Sequence, residues 1–147
     1  MLESVQTKPM ALKSPPAVFS PTADLVLLNK QFKGVKPSEV MSFTVMNARN
    51  PVVFTNFRPL AIAFLHLVTR PLPDIPVIWV DHGFNTPETY RHIERVVDRL
   101  GLNLHVYSPK MSAAHYTAVY GEIPKVDTPE HDRFSEIVKL EPFSRAM

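Results

Sequence analysis

Fifteen prolines against four glycines most constrain what this chain can become. Proline fixes φ and has no amide hydrogen, so it gathers at turns, first helical turns and strand ends rather than inside helices or central strands. Spread over 147 residues, these prolines cut the chain into short elements. Residues 1 to 22 hold Pro9, Pro15, Pro16 and Pro21 with no sustained period, and read as an extended or disordered arm. The folded domain is expected over residues 23–147.

Within that span the periods are clear. Leu25, Val26, Leu28 and Phe32 recur at helical spacing over Ala23 to Lys33, with Gly34 as the stop. Pro37, Ser38 and Glu39 open a second helix to about Asn47. Pro51 to Thr55 is short, apolar and β-branched, a buried strand. Pro59 to Arg70 reads as a helix apolar nearly all round, with His66 expected to be partly buried and satisfied inside it. Pro76 to Val80 is a second buried strand. A helix then begins with Thr86 as N-cap and Pro87 at its first position, and ends at Gly101. Its Tyr90, Ile93, Val96, Val97 and Leu100 form the core face, and Arg91, Glu94, Arg95, Asp98 and Arg99 the solvated one. Leu102 to Tyr107 is a third strand, Ser112 caps a helix over Ala113 to Tyr120, and Thr128-Pro129-Glu130 starts the last helical region. Strands alternating with helices predict an α/β fold in three layers around a small, mostly parallel sheet, preceded by two helices. Three strands make a small sheet, so partner strands or a helical cover are expected beside it.

Composition narrows the chemistry. With no cysteine there is no disulfide, thiolate metal site, iron–sulfur cluster or cysteine nucleophile within these residues. The net charge of +2 comes from sixteen basic and fourteen acidic residues that interleave, which marks no nucleic-acid surface. No apolar run approaches the ~20 residues of a membrane span. These features place the protein in the cytoplasm or another reducing compartment. Met1 to Ser20, with Lys8 and Lys13 but no arginine, is a weak match to an organelle transit sequence. The six histidines never fall at a metal-ligand spacing, and no nucleophile-elbow sequence is present.

In an open α/β sheet, ligands sit beyond the carboxyl ends of the strands. That directs attention to Thr55 to Pro59, Asp81 to Thr86 and Ser108 to Ser112. The first loop runs straight into a helix, whose free amides and dipole favour anions. It reads Thr55-Asn56-Phe57-Arg58-Pro59, without the glycines such loops usually carry. The second offers Asp81 and His82 at a strand end. Two readings stand there: an acid–base pair, or an Asp81 that caps backbone amides beside a solvent-exposed His82.

The residues of that second loop carry a family resemblance. Pro73-Asp74-Ile75-Pro76-Val77, then Asp81-His82-Gly83-Phe84, then Pro87-Glu88-Thr89-Tyr90 resemble the signature of the sulfonucleotide reductases, the phosphoadenylyl-sulfate and adenylyl-sulfate reductases of sulfate assimilation. Leu65-His66-Leu67-Val68, Leu102 to Tyr107, Ser112-Ala113-Ala114, Tyr120-Gly121 and Val138 to Met147 are similar to further family segments, so the likeness spans about residues 23–147. The resemblance implies the adenine nucleotide alpha-hydrolase-like fold and an adenosine phosphosulfate at the carboxyl edge of the sheet. Thr55, Asn56, Phe57, Arg58, Asp81, His82, Gly83 and Phe84 are then the nucleotide-binding candidates.

The departures from the family pattern matter as much. Arg58 stands where its nucleotide loop has glycine, Pro59 removes an amide donor, and His82 replaces a threonine. Arg58 fills space that a ligand would use, yet it also offers a guanidinium to phosphate; the expectation is weakened nucleotide affinity. The family continues past the equivalent of Met147 into an arginine-rich loop and a tail with the catalytic cysteine. Ser135-Glu136-Ile137 lies where the iron–sulfur branch has paired cysteines. The expectation is therefore a truncated, catalytically inactive relative, with no catalytic residue, metal or cofactor of its own, that binds an adenine nucleotide or serves as an interaction subunit. The alternative is one half of a split reductase whose cysteine comes from another chain. Nucleotidyl chemistry lacks the Ser-Gly-Gly-x-Asp-Ser loop it needs. A homo-oligomer or larger assembly is expected through an exposed sheet edge, with no nucleic acid and no membrane as partner.

Overall fold

The structure, a computed structural model, describes residues 24–147. The proline-rich stretch expected as an arm, and Ala23 with it, lie outside the described residues. Asp24 caps the first helix, α1 (Leu25–Phe32), its carboxylate accepting from the amides of Val26 and Leu27 at 3.0 Å each. α2 (Pro37–Asn47) starts on its proline. Phe32 meets Phe43 edge-on, 4.9 Å between ring centroids, and holds α1 against α2. Val45 of α2 enters the main core.

Three parallel strands follow in the spatial order β1-β2-β3. β1 is only Val53–Phe54, β2 is Pro76–Val80 and β3 is Asn103–Tyr107. Register runs Val53↔Val77 on one side of β2, and Pro76↔Asn103 through Val80↔Tyr107 on the other. β1 is shorter than the five residues expected. Pro51 has no amide to give a ladder, and beyond Phe54 one more bond, Thr55 N–H to Ile78 O at 3.0 Å, is made before the chain turns.

The crossovers are α3 (Pro59–Thr69) and α4 (Pro87–Leu100). Between parallel neighbours such crossovers are right-handed, which sets both helices on one face of the sheet. Val53, Val77 and Trp79 pack there with Leu65 and Val68 of α3 and Ile93 and Val96 of α4. α4 is delimited as its sequence predicts: Thr86 Oγ1 accepts from Thr89 N–H, and Gly101 takes the left-handed conformation that closes the helix. α3 differs from expectation at His66, which is exposed at the α3–α4 groove rather than buried and satisfied. The apolar period of α3 does not say which of its sides meets a neighbour, and only Leu65 and Val68 are fully enclosed.

The opposite face is covered by the C-terminal third. α5 (Ala113–Tyr120) and α6 (Pro129–Ser135) are capped by Ser112 and Thr128. A π-helical segment, Glu136–Leu140, then leads into α7 (Glu141–Ala146), which lies against β2 and β3. Tyr116, Phe134 and Val138 form a second cluster into which Phe84 packs. The α/β architecture, parallel sheet and two leading helices thus agree with the sequence reading. Among the described residues no helix is long and apolar enough to cross a membrane.

Candidate functional site

Beyond the carboxyl ends of β1 and β2 lies a cavity of about 460 Å3, within the usual range for small-molecule sites. Thr55, Asn56 and Arg58 border it from the first loop, His82 and Asn85 from the second, and Lys139, Leu140 and Phe143 from the C-terminal cover. Trp79 and Val80 contribute from β2. Four of the eight candidates from sequence therefore line the cavity: Thr55, Asn56, Arg58 and His82.

The other four shape the loops. Phe57 is 3% exposed with φ +55°, a left-handed conformation rare for so bulky a residue. Its ring stands edge-on to Trp79 at 5.8 Å, so it anchors the first loop in the core. Asp81 Oδ1 accepts three hydrogen bonds: from Gly83 N–H at 3.0 Å, Asn85 Nδ2 at 3.1 Å and the Tyr90 hydroxyl at 2.9 Å. Of the two readings left open for Asp81, the cap is the one this geometry supports. Gly83 has φ +79°, and a Cβ there would sit 3.1 Å from Ala113 Cβ. Phe84 joins the second cluster beside Tyr116 and Phe134.

The first loop is closed by its own side chains. Thr55 Oγ1 accepts from Phe57 N–H at 3.0 Å and Asn56 Oδ1 from Arg58 N–H at 3.1 Å. Ala61 N–H goes to Arg58 O at 2.9 Å, and Pro59 has no hydrogen to give. Most of the amides that the start of α3 could offer an anion are thus already used. Charge at this end of the cavity comes instead from side chains, the Arg58 guanidinium and the Lys139 ammonium. Neither has a carboxylate within 4.0 Å among the described residues.

His82 is half-buried rather than solvent-exposed. Burial first and the nearby Lys139 second lower its pKa from the usual imidazole value, with Asp81 opposing. Its Nδ1 accepts from Phe84 N–H at 3.0 Å, so the neutral ring carries its proton on Nε2. Burial and the hydrogen bond to Asp81 raise the pKa of Tyr90.

The sequence reading missed Phe54, Trp79, Val80, Asn85, Lys139, Leu140 and Phe143. Asn85 lay in a loop already under scrutiny, and Lys139 and Phe143 in a segment already matched to the family. The third loop, Ser108 to Ser112, does not border the cavity. It secures α7: Arg145 Nη2 donates to Ser108 O at 2.6 Å and grips Glu141 with Nε and Nη2, while Lys110 pairs with Glu141 at 3.4 Å. The Arg145 hydrogen bond holds the Glu141 pKa below the usual carboxylate value.

Comparison with known proteins agrees with the fold. The family described as "Phosphoadenosine phosphosulfate reductase domain" matches residues 50–147. This chain belongs to the phosphoadenosine phosphosulfate reductase domain family. Phosphoadenosine 5'-phosphosulfate reductase of Alkalilimnicola ehrlichii is 36% identical over 143 residues, covering 95% of this chain and 58% of that protein. The reductase of Yersinia enterocolitica is 36% identical over 126 residues, covering 85% and 52%. A crystal structure of the Candida auris phosphoadenylyl-sulfate (PAPS) reductase in a phosphate complex matches with a TM-score of 0.71 and 25% identity, over 82% of this chain and 59% of that one. The chain thus spans about half the length of the curated reductases it matches.

Proposed function

We propose that this PAPS reductase-family chain binds an adenosine phosphosulfate in the cavity at the carboxyl edge of its sheet, and does not reduce it unaided. The observation that carries this reading is the meeting of Arg58 and Lys139, two cations without carboxylate partners among the described residues, in one cavity of about 460 Å3. Asn56, Asn85 and His82 add hydrogen-bonding groups, and Trp79, Leu140 and Phe143 add apolar and aromatic surface. A purine with its sugar suits the apolar surface, and phosphate or sulfate suits the cations. The phosphate in the Candida auris reductase structure supports an anion site in this fold. Reduction by a thiol needs a cysteine, and these 147 residues have none.

The first loop, closed on itself and lacking glycine, supports a weakened affinity relative to the family's loop. Thermal unfolding with adenosine 5′-phosphosulfate, its 3′-phosphorylated form, AMP and ATP tests the reading. Ligand at about 100 times its dissociation constant adds roughly 2.7 kcal/mol of stability, enough to raise the midpoint by several degrees. The expected result is a shift with a sulfonucleotide that Lys139→Ala abolishes. No shift of the wild type with any of the four would end the proposal, and a shift that appears only in Arg58→Gly would show that Arg58 closes the cavity instead of holding the ligand.

A second reading, in which another chain supplies the thiol, has its own support. Val52 and Phe54 at β1 are exposed, as are Leu60 and Phe64 on α3, with Leu60 87% exposed. β1 also keeps one edge unpaired among the described residues. An unpaired edge beside apolar side chains favours a covering polypeptide. Sulfonucleotide reduction that appears only on adding a cysteine-bearing reductase fragment would establish this reading.

A further inference from the structure

The groove between α3 and α4, about 820 Å3, is separate from the nucleotide cavity. Ile62 and Leu100 are part of its apolar floor, and His66, His92, Arg95 and Arg99 stand around it. α3 contains no acidic residue, and neither Arg95 nor Arg99 has a carboxylate within 4.0 Å among the described residues. The nearest ion pair on α4 is Arg91 with Glu88. The surface is therefore apolar in the middle and cationic at the rim. It calls for a segment with the opposite pattern, apolar anchors flanked by carboxylates.

The same molecule displays such a segment elsewhere. Between α5 and the first turn of α6, Glu122, Asp127 and Glu130 outnumber Lys125. Ile123 and Val126 stand between them, 52% and 69% exposed. The chain here is irregular, with Asp127 left-handed at φ +64°, so the two apolar side chains project from a loop instead of joining a helix face. We infer that the α3–α4 groove receives the Glu122–Glu130 segment of a second copy of this chain. Ile123 and Val126 cover the apolar floor, and the carboxylates meet Arg95 and Arg99. Each copy has one groove and one segment, so the contact either repeats head to tail or is made twice in a reciprocal two-fold dimer.

Light scattering of the full chain from 10 μM to 1 mM, at 20 mM and at 500 mM NaCl, tests this. The expected result is an average mass that climbs with concentration at low salt and an association constant that falls at least tenfold at high salt. Arg95→Glu with Arg99→Glu, and separately Glu122→Lys with Glu130→Lys, should each stay monomeric. All four positions are exposed, so both variants are expected to fold, which circular dichroism would check. An equimolar mixture of the two variants should associate again, because each reversed patch finds a complementary one. A wild type that stays monomeric to 1 mM overturns the inference. So does association that the charge reversals leave unchanged, or a mixture that stays monomeric.

Discussion

The loops after β1 and β2 leave the same edge of the sheet and close by the same device, a side chain at the strand end accepting from an amide two residues on. They differ in what they fix. The first has no glycine, so a buried phenylalanine takes the left-handed turn and the core holds the loop in place. The second gives that turn to Gly83 and gathers Asn85 and Tyr90 on one carboxylate, so hydrogen bonds hold it. One loop is anchored by packing and presents a cation, Arg58, to the cavity; the other is anchored by a polar network and presents His82 and Asn85. The comparison teaches that this edge of the sheet can be kept in shape without a glycine-rich loop, at the expense of amides that would otherwise be open to an anion.

Substitutions at the two anchors separate the mechanisms. Phe57→Ala should cost about 3–5 kcal/mol in urea unfolding, because it opens a cavity beside Trp79. A cost under about 1 kcal/mol would mean that neighbouring side chains close over the space the ring leaves. Asp81→Ala should cost about 1–3 kcal/mol by leaving the amide of Gly83 and the hydroxyl of Tyr90 without their acceptor. Asp81→Asn keeps an acceptor oxygen and should cost less; equal losses would argue for charge rather than hydrogen bonding. Gly83→Ala should cost about 1–2 kcal/mol through its positive φ and the contact with Ala113.

The smallest effect is one of pH. The folded state lowers the His82 pKa, so it favours the neutral ring and binds fewer protons than the unfolded chain. The stability this contributes is complete above the usual imidazole value of about 6.5 and is lost as pH falls through the lower folded value. His82→Asn offers Phe84 N–H an acceptor that does not titrate. The midpoint of the wild type should therefore fall more steeply than that of the variant between pH 7 and pH 5. Parallel curves would show that His82 carries none of the acid sensitivity.

Much of the fold was legible because its signals are local. Thr86, Pro87 and Gly101 delimit α4, and Ser112 and Thr128 start α5 and α6, through bonds within a few residues. What was not legible depends on distant partners. The exposure of His66 follows from how α3 meets α4. The site divides in the same way. Thr55, Asn56, Arg58 and His82 follow from the rule that places ligands at strand ends. Lys139 and Phe143 reach the cavity only because the π-helical segment and α7 fold back over β2 and β3, more than eighty residues after β1. Phe57, chosen as a ligand-loop residue, proved to be core, because its unusual φ turns the ring inward.

Trp79 is the single tryptophan of the chain, and it borders the cavity, so its fluorescence reads the site directly. Titration with 3′-phosphoadenosine 5′-phosphosulfate, corrected for absorbance with free N-acetyltryptophanamide, should give a saturable change that Lys139→Ala removes and sulfate ion alone does not reproduce. An unchanged Trp79 signal up to millimolar nucleotide, or a change that Lys139→Ala leaves intact, would contradict nucleotide binding at this edge of the sheet.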